Sequence, residues 1–371
     1  MAQSSSERAA RLAACECITP LGDAPATLAA LLEKRVSLRA RPALGADGGD
    51  EVPLSVMPGR AFDETEPPSW MPAVRELTAR LPSEGWGEPR RPVFVTSSNF
   101  GVASLLAWRR GGNDRHLAFG APFLCVEWLR GQLGWKENVT VISHACVSAH
   151  LGLIQASRAV CLGTAEAALV FSFDFLSPFV AGGFNALKIL NGMFPAPYEE
   201  REAGAIGLGD GAAFAIVTRD RGDWALEGQS LFNEMHHFTA NRPDGSGFAA
   251  CLAQLAPAVR GRRVWAKGHG TGTLEAGRLE AAALAAGFPG APLVGWKGSL
   301  GHTLGSCGLV ELAIVVEAMK SGRTPGTVGN SGKVFTDEVA LDDFDNRGFD
   351  GAVCTSNAFG GAHAALLVSH V

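Results

Sequence analysis

Cys146 is the residue of this chain best placed to act as a nucleophile. It stands in Ser143-His-Ala-Cys-Val-Ser-Ala149, directly after Val139-Thr-Val-Ile142, which reads as a short buried strand. Beyond it Leu151, Leu153, Ile154, Ala156, Ala159, Val160 and Leu162 recur at helical spacing until Gly163 ends the run. A cysteine in the first turn of a helix faces unpaired backbone N–H groups and the positive end of the helix dipole. Both favour the thiolate, which is the nucleophile, and lower the thiol pKa. Cysteine is also a common core residue, so Cys146 alone leaves both readings open.

Three glycine-rich turns could supply what such a thiol needs. His269-Gly-Thr-Gly-Thr273, Lys297-Gly-Ser-Leu-Gly-His302 and Asn357-Ala-Phe-Gly-Gly361 each follow an apolar run that reads as a strand. Strand-end loops are where α/β folds collect catalytic groups. One cysteine and two imidazoles form an inventory for acyl transfer, with a nucleophile and groups that donate hydrogen bonds or move protons. Glu311 lies inside an apolar helix and requires a buried cation. Lys297, reached through Leu293-Val-Gly-Trp296, is the expected partner. Neither C-x-x-C nor H-x-x-x-H spacing is present, so no metal is expected. His116, His144, His150, His236, His237, His363 and His370 lack a comparable setting, and Cys15 and Cys17 read as buried strand residues.

Alternating strands and helices must hold these groups. Ala13 to Leu32 reads as strand, turn and helix, and Arg39 to Pro92 as a long surface excursion with a short helix at Met71 to Arg80. Pro92-Val-Phe-Val-Thr96 is a strand, Phe123 to Leu133 a helix, and Ala167 to Phe173, apolar on both faces, a central strand. Ser177 to Pro197 reads as loop-rich, and Gly207 to Ala212 as a turn into the strand Ala213 to Thr218. Arg219-Asp-Arg-Gly-Asp223 marks the division, giving residues 1–221 and 222–371. In the second part the strands are Trp224 to Leu231, Val264 to Lys267, Pro292 to Trp296, Ala352 to Ser356 and Ala364 to Ser369. Helices fall at Gly247 to Ala258, Arg278 to Ala286 and Gly308 to Lys320. Cys146 and Cys307 each open a small-residue-rich helix that closes on glycine, an echo that argues for two similar α/β halves.

Composition bounds the rest. The 371 residues are 47% hydrophobic and 19% charged, enough for a large core. A net charge of −5 leaves no electrostatic footprint for nucleic acid. Met1 to Arg11 lacks the apolar centre of a signal peptide, and no apolar run approaches a membrane span. The eight cysteines lie scattered in apolar contexts, which suits a reducing cytoplasm better than a disulfide framework.

Together, Ala145-Cys-Val-Ser-Ala149, His269-Gly-Thr-Gly-Thr273, Lys297-x4-His302-x2-Gly305-Ser-Cys-Gly308-x2-Glu311 and Phe359-Gly-Gly361 resemble the four motifs of β-ketoacyl-acyl-carrier-protein synthases of the elongating, Cys-His-His type. Ile18-Thr-Pro-Leu-Gly22 is similar to the family's opening turn, and Gly209-Asp-Gly-Ala212 to its Gly-Glu-Gly-Ala. The motifs keep their order over almost the whole chain. The resemblance implies the thiolase fold, two duplicated α/β halves in a five-layered α-β-α-β-α sandwich, usually dimeric. It implies that Cys146 accepts an acyl group from a carrier-protein thioester, and that a malonyl-carrier protein is then decarboxylated and condensed onto it. His269 and His302 would assist decarboxylation, with Lys297 and Glu311 as the buried pair fixing the histidine loop. The backbone N–H groups of Cys146 and Phe359 would form the oxyanion hole. Thr271 and Thr273 would hydrogen-bond the phosphopantetheine arm, and Phe359 would gate the acyl pocket. No cofactor is implied beyond that arm. The implied partners are an acyl carrier protein and a second ketosynthase-like subunit, identical or companion.

The departures are specific. The chain is shorter than typical members, Gly277 stands where the family has Asp, and Phe171-Ser-Phe-Asp174 replaces a Gly-Gly. His363 takes the place of an asparagine. These point to pocket shape and towards specialised enzymes of the aryl-polyene or type II polyketide kind, with Phe171 to Asp174 the expected determinant of chain choice. A chain-length-factor-like subunit without activity is the alternative, although such subunits typically lack the cysteine. Thiolases and initiating synthases acting on coenzyme A carry different triads.

Overall fold

Ten main strands arise where the apolar runs were expected. They are β1 (Ala10–Thr19), β2 (Val93–Thr96), β3 (Val139–Ile142), β4 (Ala167–Asp174), β5 (Gly211–Thr218), β6 (Trp224–Asn233), β7 (Val264–Lys267), β8 (Leu293–Val294), β9 (Gly351–Ala358) and β10 (Ala362–His370). The computed structural model describes residues 9–63, 69–83 and 85–371. Most of the polar N-terminal stretch, and with it the reading of no signal peptide, lies outside the described residues.

The hydrogen-bonded path runs β8-β7-β9-β10-β6-β1-β5-β4-β2-β3. Numbered within its own set, each group of five strands has the order 3-2-4-5-1. In both sets strands 3, 2 and 4 are parallel, whereas 4-5 and 5-1 are antiparallel. The duplication suggested by two helices is thus repeated strand for strand. The sets join edge to edge through β1 and β6, over the pairs Ala10–Leu226, Arg11–Ala225 and Leu12–Trp224.

The helices that matter here are α1 (Ala24–Leu32), α2 (Met71–Thr78), α3 (Pro122–Leu133), α4 (Ser148–Cys161), α5 (Pro178–Ala186), α6 (Ser246–Ala253), α7 (Leu274–Gly287) and α8 (Cys307–Ser321). α4 and α8 pack on each other and on strands of both sets. They are the middle layer, with α2 and α3 covering the outer face of the first set and α6 and α7 that of the second. The result is the α-β-α-β-α order. A helix between two sheets must be apolar all round, and every residue from Cys307 to Val316 is buried. Gly152 lets α4 approach closely, since a Cβ there would stand 2.7 Å from Thr96 Cγ2 and 3.0 Å from Val170 Cγ1.

Four expectations change. β3 is not buried: it forms the outer edge of the first set, and Thr140 and Val141 are exposed. The excursion over residues 39–92 is more than surface. Its Arg39–Pro42 and Glu51–Ser55 segments form a small sheet with Leu208–Gly209, and Val52, Leu54, Trp70 and Val74 are buried. Arg60 anchors it by a two-pronged ion pair to the buried Asp210. Within Ser177 to Pro197 the chain forms α5, capped by Ser177 and begun by Pro178. Finally, α4 starts at Ser148, so Cys146 lies two residues ahead of its helix.

Candidate active site

The turn from β3 into α4 presents Cys146. Ala145 holds φ +46°, a left-handed conformation that costs a non-glycine residue energy and concentrates at functional turns. Ser148 pins the turn from below: its hydroxyl accepts from the His144 N–H at 2.7 Å and donates to the Ala145 carbonyl at 2.6 Å. The side chain after Ala145 is thereby raised above the helix start rather than placed within its first turn.

His302 meets it. Its Nε2 lies 3.0 Å from Cys146 Sγ, and the Leu304 N–H donates to its Nδ1 at 3.2 Å. A neutral ring that accepts at Nδ1 carries its proton on Nε2, so the tautomer that fits points N–H at sulfur. His269 leaves the end of β7, and its ring stands edge-on to that of His302 with centroids 4.9 Å apart. Beneath it Glu280 of α7 gathers five donors: the N–H groups of His269 (2.7 Å) and Gly270 (2.9 Å), and the side chains of Tyr198, Thr355 and Asn357. Gly272, at φ +95°, lets the loop pass against the Ala205 carbonyl, which a Cβ would approach to 2.4 Å.

Lys297 and Glu311 come together as expected. Lys297 Nζ lies 2.7 Å from Glu311 Oε1 and donates to the His269 carbonyl at 2.7 Å. The other carboxylate oxygen pairs with Lys267. Burial, then Lys297, pushes both imidazoles well below the usual histidine range. Burial likewise pushes the Cys146 thiol up, aided by Cys307 and opposed by Lys297. This reverses the lowered pKa expected from a place at a helix start: the apolar surroundings outweigh the dipole. Cys146 Sγ and one nitrogen of each histidine lie within 4.8 Å of one another.

These groups sit at the base of a cavity of about 390 Å³. Thr271 and Thr273, hydroxyls 3.0 Å apart, line it, as does Phe359. Phe359 is 41% exposed and faces the Phe184 ring at 6.1 Å. Leu187, Ile189, Ile206 and Phe238 supply the apolar wall. Phe171 to Asp174 do not reach it. Phe171 and Phe173 pack among Trp70, Trp135 and Phe100 in the outer core. Asp174 is fully buried and ties Ser97, Ser98 and Asn99 to Ser306 behind the His302 loop. Burial raises its carboxyl to about 6 despite those donors.

Comparison with known proteins bears on the fold. A family model described as "Beta-ketoacyl synthase, C-terminal domain" matches residues 225–330. The 3-oxoacyl-[acyl-carrier-protein] synthase 2 of Coxiella burnetii is 25% identical over 261 residues, 63% of this chain and 62% of that protein. The tetracenomycin polyketide synthase ketoacyl synthase alpha subunit of Streptomyces glaucescens is 27% identical over 226 residues, 54% of this chain and 52% of that one. The matched stretches thus span less than two thirds of either relative's length. A chain from the complex of a ketosynthase with its chain length factor from Xenorhabdus doucetiae superposes with a TM-score of 0.80 at 19% identity, covering 100% of both chains. A beta-ketoacyl synthase from Burkholderia phymatum gives 0.81 at 18%, covering 98% of this chain and 99% of that one. The chain shares the thiolase fold of these ketosynthases, and its residues 225–330 resemble the C-terminal domain of a beta-ketoacyl synthase.

Sequence reasoning missed several residues of this site. Lys267 was read only as the end of a strand, and Glu280 as one polar residue of a helix. A lysine closing a strand otherwise wholly apolar is the signal that could have been used. His363, passed over, is buried in contact with Asn357 at 2.9 Å and Glu234 at 3.6 Å. His150, also passed over, lies buried under α8, where a Cβ on Gly308 would stand 2.3 Å from its Nδ1.

Proposed function

We propose that this protein is a β-ketoacyl synthase: it condenses a malonyl group, with loss of carbon dioxide, onto an acyl group held by Cys146. One observation carries the reading, the meeting of Cys146, His302 and His269 at the base of a single cavity. The Cys146 sulfur attacks the acyl thioester, and the carrier thiol leaves with the proton that Cys146 gives up. The malonyl thioester then loses carbon dioxide, and the neutral imidazoles donate N–H bonds to its carbonyl oxygen as negative charge develops there. The enolate carbon attacks the acyl-cysteine, releasing the β-ketoacyl product and the Cys146 thiolate, which takes a proton from solvent to return to the thiol. The Cys146 and Phe359 N–H groups are assigned to the oxyanion of each acyl step, and Thr271 and Thr273 to the phosphopantetheine arm. No cofactor enters beyond that arm.

Partners follow the same reading: an acyl carrier protein at the cavity mouth, and a second ketosynthase-like subunit, the same chain or a companion, as in the Xenorhabdus doucetiae complex. The division into halves is proposed between residues 221 and 222. No helix among the described residues is long and apolar enough to cross a membrane.

Incubation with an acyl-carrier protein is expected to add one acyl mass to the peptide holding Cys146, and Cys146→Ala to abolish it. His302→Ala is expected to cut carbon dioxide release from malonyl-carrier protein by 10² or more while leaving the circular dichroism spectrum unchanged. No adduct on Cys146 would instead identify a non-catalytic partner subunit.

A further inference from the structure

Behind the two histidines lies one more lysine than this reaction uses. Lys267 closes β7 two residues before His269, and it is 1% exposed. Its ammonium takes Oε2 of Glu311, while Lys297 holds Oε1 at 2.7 Å. One carboxylate, 4% exposed, therefore answers two buried amino groups; burial pulls Lys267 below the usual lysine range, and Glu311 opposes that pull. Lys297 has a further acceptor in the His269 carbonyl. Among the described residues, Glu311 is the acceptor found for Lys267.

We propose that Lys267 is a positioning residue of the site: it clamps the second oxygen of Glu311, keeps Lys297 directed at the His269 carbonyl, and sets a second ammonium behind both imidazoles. That charge has a definite consequence. A second proton on His302 would have to enter at Nδ1, where the Leu304 N–H already donates, so only the neutral ring satisfies its neighbours. A second cation nearby makes the protonated ring less favourable still. The other groups facing Lys267 do not cancel it. α8 adds Cys307, β9 adds Cys354 and α4 adds His150, all buried. The thiols of Cys307 and Cys354 are held protonated by burial. Burial, and then Lys267, pushes His150 down to about 4. Glu280 meets five neutral donors about the His269 loop, and its negative charge favours the Lys297 ammonium.

The test needs no substrate, so its outcome is separate from that of the condensing reaction. In full-length protein carrying isotopically labelled histidine, the His269 and His302 rings are titrated by NMR, assigned from His269→Gln and His302→Gln. In the unsubstituted chain neither ring is expected to protonate within the usual histidine range. Lys267→Met removes the charge at similar volume and is expected to raise the protonation step of at least one ring by about one pH unit, roughly tenfold in protonated fraction. Lys267→Arg, which keeps the charge, is expected to restore the original titration. Identical titrations in Lys267→Met and the unsubstituted chain would overturn the proposal. Should Lys267→Met not fold, a protonation step near 6.5 in the unsubstituted protein would do the same.

Discussion

At Cys146 burial and hydrogen bonding pull in opposite directions, and their balance governs its reactivity. The apolar surroundings raise the thiol, whereas the His302 N–H aimed at sulfur favours the thiolate. Burial dominates, so the resting group is the thiol. Alkylation of Cys146 by iodoacetamide, followed by peptide mass spectrometry, is therefore expected to be slow at pH 7 and to climb about tenfold per pH unit to pH 9. A rate that levels off below pH 8 would show that the imidazole wins. The nucleophile and both histidines were legible because each stands in a turn between an apolar strand and the next element. The sign of the thiol shift was not. It depends on how completely two sheets and two helices enclose the turn, which local spacing does not carry.

Among the elements, α7 acts as the foundation of the His269 loop. Glu280 reaches up between the loop and β9, and Tyr198 closes the fan with a 2.9 Å bond. Tyr198→Phe removes one hydrogen bond to a buried carboxylate and is expected to cost about 2 kcal/mol in urea unfolding. Glu280→Ala strands four other donors and should cost more, about 3–5 kcal/mol, the loss typical of breaking a buried charged network. Equal losses in the two variants would show that the carboxylate is not the centre of the fan. α7 was legible as a helix from its periodicity. Its anchoring role was hidden, because Glu275 and Glu280 of this alanine-rich helix look alike in sequence, whichever faces water or a loop. The same limit misdirected Phe171 to Asp174. Their departure from the family pattern was visible, but β4 sends them to the outer core and to the 97–99 loop instead of the cavity.

On the scale of the whole molecule, the free edge is β3. The other end of the strand path, β8, is bridged by Val339 beside Leu293, whereas Thr140 and Val141 stand open beside β2. An exposed strand edge invites another strand, and the proposed second subunit is assigned to it. Val141→Lys, a charge on that edge, is expected to shift the assembled protein to half its mass in size-exclusion chromatography coupled to light scattering. An unchanged mass would move the subunit contact elsewhere. The alternation of strands and helices made the duplicated α/β plan legible, but the edge status of a four-residue apolar strand was not, since it depends on which neighbour is missing.

Because both five-strand sets share one order, the turn carrying Cys146 and the turn carrying His302 hold the same place in their sets. Each leads from the third strand into a middle helix. An ancestral chain of half this length, paired with its own copy, would have set two identical turns face to face. Joined in one chain, two such turns are free to differ, and here one offers a thiol and the other an imidazole. The asymmetry of the proposed chemistry is thus laid over a symmetric frame.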